Sequence, residues 1–511
     1  MKYISMLATA LFILLITSNA HAQNFGVIKN YGAVPGYNLF TAFRGTSVYL
    51  MDNDGQLINE WVEPDGFPAG ANMFLNRKGH LIRTIQSGPE ASPYGAGAGL
   101  GGLIRAYRWD GSIIWEFPMK SLNMTSHHTM IPLPNGNVLV TAYSTESCVG
   151  AEVCGESGTF RSEKLIELKP KPKKGTAKIV WEWNLADHLL PIGADSVENA
   201  HLWGGEVGCG GPGDPCTTPN INHLDYDPHT KQILMSCNTC DEIWVIEKQP
   251  TTRKAAKNKG GRYGKGGGFI YRYGNRGNYN AAAEGAGTLQ IDLQHGVRFV
   301  KHRDELGWTI HDKRVGNIIL YNNGFSTTDE MAYTEIKPVR NRRGGYKMID
   351  GAFQPLLPTK TSTNLGSPFM GSVQALPYKH TIINAGVGGT GPNGTAGFPP
   401  APGFAIGGAT AIELDKRGHE VWRFVNPVYS TNQGGLGGLV NRTESKIIGA
   451  DCPIVNTWNL ANGPNAKTNW MFRMLRYSKH FPGFRGKNLH PKGLITDAGT
   501  CVSDPPPPPA P

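Results

Sequence analysis

The sequence predicts an all-β fold: a six-bladed β-propeller of four-stranded antiparallel blades, widened by long loop insertions. Three observations carry this expectation. The 511 residues include 66 glycines and few long stretches of helical periodicity, the pattern of many short strands joined by turns. A turn followed by a β-rich strand with one large aromatic recurs along the chain. Ahead of most copies stands a second phrase: a strand, a Pro/Asn/Gly turn and another strand. The two phrases together make one four-stranded unit, and about six copies fit between residues 35 and 430.

In chain order, residues 1–22 read as a secretory signal, with Lys2, the apolar run "MLATALFILLI" and the small-residue site "AHA" before Gln23. The apolar run is shorter than the roughly 20 residues a membrane span needs, and no later stretch reaches that length. The mature protein is therefore expected in the periplasm or secreted. The propeller domain is expected over residues 23–490, and residues 491–511 read as a stiff Pro-rich tail ending in "SDPPPPPAP".

The aromatic phrase appears as "DNDGQLINEW" ending at Trp61, "DGSIIWEF" around Trp115, "KIVWEW" at Trp181 and Trp183, and "DKRGHEVWRF" around Trp422. "GGGFIYRYGN" is a looser copy with Tyr271 and Tyr273. The hairpin phrase appears as "MFLNRKGHLIRTI", "MIPLPNGNVLVTAY", "HLDYDPHTKQILMS" and "SVQALPYKHTIINAG". Asn-Gly in "LPNGNVLV" is a strong hairpin signal. A β-sandwich array would not need the same phrase on each outer strand, whereas propeller blades must each bury a face against the next. Trp61, Trp115, Trp181 and Trp422 are accordingly expected between blades.

The net charge is +10, with charged residues only 18% of the chain. The basic residues gather in Gly- and Pro-punctuated segments such as "TTRKAAKNKGGRYGK". The resulting field favours anionic small molecules, and the composition lacks the basic surface interleaved with aromatics that nucleic acid wants. Eight cysteines in an exported chain read as disulfides: Cys148–Cys154, Cys209–Cys216, Cys452–Cys501, and the C-x-x-C pair Cys237–Cys240. That last pair has no second C-x-x-C for zinc and no following His for haem.

The ordered set "PGYNLF", "SVYLMDNDGQLINEW", "SHHTMIPLPNGNVLV", "NINHLDYDPHTKQILMS", "DEIWVIE", "GGGFIYRYGN", "LQHGVRFV", "GNIILYNNG" and "FRMLRYSKHFPGFRGK" resembles the bacterial arylsulfotransferases, over about residues 26–490. The resemblance implies a six-bladed propeller with its site at the central channel. It also implies transfer of a sulfuryl group from a phenolic sulfate to another phenol, without a nucleotide sulfate donor, a cofactor or a metal. Histidine carries the chemistry in that family through a covalent sulfo-histidine. A neutral imidazole is nucleophilic near pH 7, and its second nitrogen can be oriented by a neighbour.

The resemblance implies catalytic roles for His295 in "LQHG" and His128 in "SHHTM", at matching strand entries of the fifth and third units. His127, Asn220, Asn222 and His223 are the candidate substrate contacts. The family's usual His-x-Asn at the fourth unit reads Asn220-Ile221-Asn222 here, and Asn220 can neither attack nor carry a proton. His223 stands one residue on, where regular strand alternation aims a side chain at the opposite face. The Arg that some members place after "LYNNG" is replaced by "FSTTDE", leaving Thr327 or Thr328. His380 falls on a hairpin turn, and His188 and His201 in insertions, where surface positions are expected. Two functions stay open: a histidine-dependent sulfotransferase, and a binding propeller that has lost catalytic residues. A calcium-dependent hydrolase using Asn72, Asn222 and His295 has too few carboxylates.

Overall fold

A computed structural model describes residues 24–86, 99–147, 159–190, 200–201, 219–275, 291–324, 332–342, 344–349, 352–353, 355–362, 367, 369–387, 409–431, 443–452 and 469–501. Six antiparallel sheets form the blades of a propeller, and the innermost strands of successive blades pack side by side around the axis. The inner strands of blades 2 to 6 are Ala69–Leu75, Met124–Pro132, Ile221–Asp227, His295–Phe299 and Gly371–Ala375.

The ring is closed by both ends of the chain. Met474–Ser478 supplies the innermost strand of blade 1 and pairs with Gly36–Phe40, so that Tyr37 faces Tyr477 and Leu39 faces Leu475. Gly26–Asn30 becomes a fifth, outermost strand on blade 6, beside Glu420–Val425. The repeat in the sequence did not reveal this closure, because neither strand belongs to a complete copy of it.

The aromatic phrases take the outer strands, as expected. Trp61, Trp115, Trp181 and Trp422 are all buried, and their ring nitrogens show why tryptophan suits the position. Trp61 Nε1 of blade 1 donates to the Arg108 carbonyl of blade 2 at 2.9 Å. Trp422 Nε1 of blade 6 donates to the Asn53 carbonyl of blade 1 at 2.8 Å. In these two the ring fills the inter-blade gap while its one polar atom finds a partner across it, whereas Trp181 Nε1 has no partner among the described residues. The "LPNGN" turn closes with Gly136 N–H on the Leu133 carbonyl and Gly136 at φ +83°, a conformation glycine adopts freely.

Several expectations change. His188 is buried rather than on the surface: it stacks on Trp183 at 5.2 Å, and its Nδ1 bonds Asn258. The segment after residue 490 is held to the propeller. Lys492 N–H donates to the Leu57 carbonyl, Ile495 N–H to that of Gly55, and Cys501 is bonded to Cys452. Cys237 and Cys240 are joined as well. The signal segment, Cys148, Cys154, Cys209, Cys216, Thr327 and Thr328 lie outside the described residues, as does the His201 side chain.

Candidate active site

Irregularity at the strand entries builds the site. In each of blades 2 to 5 the inner strand carries extra residues relative to its partner just where a polar side chain stands. Asn72 lies in the slip between Ala69 and Met73. His127, His128 and Thr129 together oppose the single Thr141. Asn222 is the extra residue between Ile221 and His223, and the fifth blade slips between His295 and Arg298. Such bulges re-aim side chains. They remove the objection that His223 must face away, because the extra residue resets the alternation.

His223 consequently reaches the channel, where its Nδ1 lies 3.1 Å from Arg473 Nη2. An arginine can only donate, so Nδ1 is the acceptor and the ring proton sits on Nε2. Arg473 enters at the start of the closing strand of blade 1. Its Nη1 donates to Asn72 Oδ1 at 3.0 Å, and both terminal nitrogens lie 3.4–3.5 Å from Thr129 Oγ1. Its Nε is buried without a partner among the described residues. Among the described residues no carboxylate lies within ion-pair distance of Arg473. Burial, and then repulsion from Arg298, push its guanidinium down to about 9, which still leaves it charged at neutral pH.

His295 is fixed from behind. Asn323 Nδ2 donates to the carbonyls of Ser367 and Met370, which turns Asn323 Oδ1 toward His295 Nδ1 at 2.8 Å. The Leu293 carbonyl lies 2.9 Å from the same nitrogen. Two acceptors place the proton on Nδ1 and leave the Nε2 lone pair available, with the Met370 N–H at the long distance of 3.4 Å. Burial pushes this imidazole down to about 4, so the ring is neutral at pH 7.

His128 takes a left-handed backbone conformation, φ +40°, uncommon for any residue but glycine and a frequent mark of functional strain. Gly99 lies over its ring, where an added Cβ would come within 2.6 Å of Nε2. Phe472 ties the two candidate histidines together, with its ring centroid 5.9 Å from that of His128 and 5.9 Å from that of His295. Its face also lies 5.3 Å from the Arg473 guanidinium carbon. Burial holds both His128 and His223 well below the ordinary histidine range.

The remaining candidates stand one layer back. His127 stacks on Tyr143 at 3.8 Å and bonds Glu163 and His128. Asn220 accepts from the Tyr143 hydroxyl at 3.2 Å. Asn222 donates to the Gln294 carbonyl at 2.8 Å, linking blade 4 to blade 5. His380 lies elsewhere, paired with Glu413. Below Arg473 the channel is plugged by buried ion pairs, Lys301 with Asp225 and Glu305, and Arg298 with Glu305. A cavity of about 470 Å³ on the far side of this plug is lined by Tyr226, Lys301, Trp308 and Phe481.

Sequence reasoning missed Arg473, Phe472 and Glu163. The first two could have been found by asking which residue enters the closing strand, since Asn72, His128, His223 and His295 all stand at inner-strand entries. Glu163, inside "FRSEKLIELKP", gave no signal.

The family model described as arylsulfotransferase (ASST) matches residues 17–348, more than half of the chain. No curated protein matches the chain. Among solved structures, the periplasmic gluconolactonase of Pseudomonas aeruginosa is similar at 10% identity and TM-score 0.37, covering 87% of this chain and 99% of that one. A Bacteroides caccae protein of unknown function is similar at 11% identity and TM-score 0.37, covering 76% and 94%. A putative 6-phosphogluconolactonase of Bacteroides fragilis follows at 9% identity and TM-score 0.33, covering 77% and 84%.

Proposed function

The chain belongs to the arylsulfotransferase family, and from that premise we propose that it is an exported enzyme moving a sulfuryl group from a phenolic sulfate to a second phenol. One observation carries the reading: Arg473 is a buried cation with no carboxylate partner among the described residues, set beside neutral imidazoles. An anionic tetrahedral group is what such a point lacks, and charge-assisted bonds to it are strong in a dry site.

In this reading Arg473 and the Nε2–H of His223 grip the sulfuryl oxygens. His295 attacks sulfur through Nε2: an N–S bond forms, the S–O bond to the donor phenol breaks, and its electron pair leaves on the phenolate. The acceptor phenol then attacks the same sulfur, and the N–S electrons return to His295. Splitting the transfer in this way replaces one difficult step with two easier ones. The Phe472 ring offers an apolar face to the aryl groups. Arg473 supplies from the closing strand the cation that some family members place after "LYNNG".

Asn220 favours the alternative, a binding propeller, because it stands where the family carries a histidine and is engaged by Tyr143. Steady-state turnover of 4-nitrophenyl sulfate with phenol as acceptor separates the two. Transfer of the sulfuryl group supports the enzyme, and tight binding of the sulfate without turnover supports the module.

A further inference from the structure

Glu163, His127 and His128 form an unbroken hydrogen-bonded line. Glu163 Oε2 lies 2.9 Å from His127 Nε2, and His127 Nδ1 lies 3.1 Å from His128 Nδ1. The other carboxyl oxygen, Oε1, accepts the Ile221 N–H at 2.7 Å. Among the described residues nothing bonds His128 Nε2, which is the channel end of the line. Each link joins two atoms that share a single proton, so placing one proton places them all.

We propose that Glu163, His127 and His128 are a proton relay that makes His128 the acid–base group of the channel and keeps the stored proton on Glu163. The inference rests on the sulfuryl-transfer reading. In the resting register Glu163 is a carboxylic acid donating from Oε2 to His127 Nε2. His127 Nδ1–H then donates to His128 Nδ1, and His128 carries its proton on Nε2. Every member is uncharged, as a site with this little solvent requires. Burial pushes the Glu163 carboxyl up and both imidazoles down, the directions this register needs.

The relay balances the proton account of the transfer. As the donor S–O bond breaks, His128 Nε2–H gives its proton to the leaving phenolate oxygen. The His127 proton moves to His128 Nδ1, and the Glu163 proton moves to His127 Nε2. Glu163 is left as a carboxylate, stabilised by the Ile221 N–H. When the acceptor phenol arrives, His128 Nε2 takes its proton, and the line shifts back as phenolate attacks sulfur. One phenol is released, one is consumed, and no imidazolium is buried at rest. The device resembles the acid–His–nucleophile logic of hydrolases, with a second histidine in place of the nucleophile.

Glu163→Gln is the discriminating variant. Its amide N–H can still donate to His127 and its carbonyl can still accept from Ile221, so the resting hydrogen bonds persist while the proton cannot move. We expect turnover of phenyl sulfate, whose leaving phenolate needs a proton, to fall roughly 10²–10⁴-fold. Release of 4-nitrophenolate from 4-nitrophenyl sulfate, which leaves readily as the anion, should keep its first-turnover burst. Equal loss with both donors, or no loss with either, overturns the relay. Long-range ¹H–¹⁵N correlation on the wild-type protein gives a second readout that does not depend on activity. It should find His128 protonated at Nε2 and not at Nδ1, and the opposite tautomer overturns the proposal. A wild-type protein inactive on every aryl sulfate would instead defeat the sulfuryl-transfer reading, while the tautomers still decide the relay.

Discussion

Arg473 Nη2 lies 3.1 Å from Nδ1 of His223, a residue 250 positions earlier in the chain. The contact spans the channel from blade 1 to blade 4, and it exists only because the C-terminal strand closes the ring. The closing strand therefore completes both the ring and the site.

Arg473→Met tests what that cation does. Losing one preorganised donor to developing charge costs roughly 10²–10³-fold, and kcat/KM for aryl sulfates should fall by that much. Stability should move the other way or not at all, because an uncompensated buried charge is costly to the fold. A thermal midpoint equal to or above wild type is expected, and a steep fall in Tm would make Arg473 a structural residue.

The depressed His295 imidazole, at about 4, has a signed consequence. Between about pH 6.5 and about pH 4 the unfolded chain protonates this ring while the folded protein does not. Its contribution therefore lowers stability as the pH falls through that window and is absent above it. His295→Asn should flatten the decline of Tm across the same window. Parallel Tm curves for the variant and the wild type would show that the ring is not held neutral.

Trp422→Ala removes both the filler of the gap between blades 6 and 1 and the Nε1 bond to Asn53. Deletions of buried tryptophan cost about 3–5 kcal/mol. Denaturant titration should show a loss of that size, and a loss below about 1 kcal/mol would mean that the blades do not depend on the ring.

Cys452–Cys501 closes a loop with a sequence separation of 49 that contains Arg473 and the closing strand. On the chain-entropy account a loop of this size is worth about 4 kcal/mol. Cys501→Ser should lower Tm clearly, with activity preserved at temperatures well below the midpoint. An unchanged Tm would mean that strand pairing alone holds the ring shut.

The fold was legible because its repeat is physical: each blade needs a hairpin and a large outer-strand aromatic, and both leave local signatures. His295 and His128 were named as candidates because they open inner strands, and the structure sets both rings beside Phe472. Arg473 was hidden by closure, since a strand that completes a blade from the far end of the chain carries no repeat around it. Which way His223 faces was not legible, because strict alternation fails at a bulged entry and a bulge depends on pairing that a single strand does not display. Asn220 and Asn222 were named as ligand contacts, and the bonds that Asn220 Oδ1 and Asn222 Nδ2 make to neighbouring blades depend on blade packing that the sequence does not display. Glu163 lies mid-strand among other charges, and only its burial against His127 distinguishes it.

The central claim is that His295 carries the sulfuryl group. The most direct measurement is rapid acid-free quenching of the enzyme with 4-nitrophenyl sulfate in the absence of acceptor, followed by peptide mass spectrometry. The account predicts one added SO₃ on the peptide containing His295, lost on addition of phenol and absent in His295→Ala, whose thermal midpoint stays close to wild type. Sulfuryl transfer to phenol in wild type with no adduct on that peptide, or full activity in His295→Ala, would contradict it.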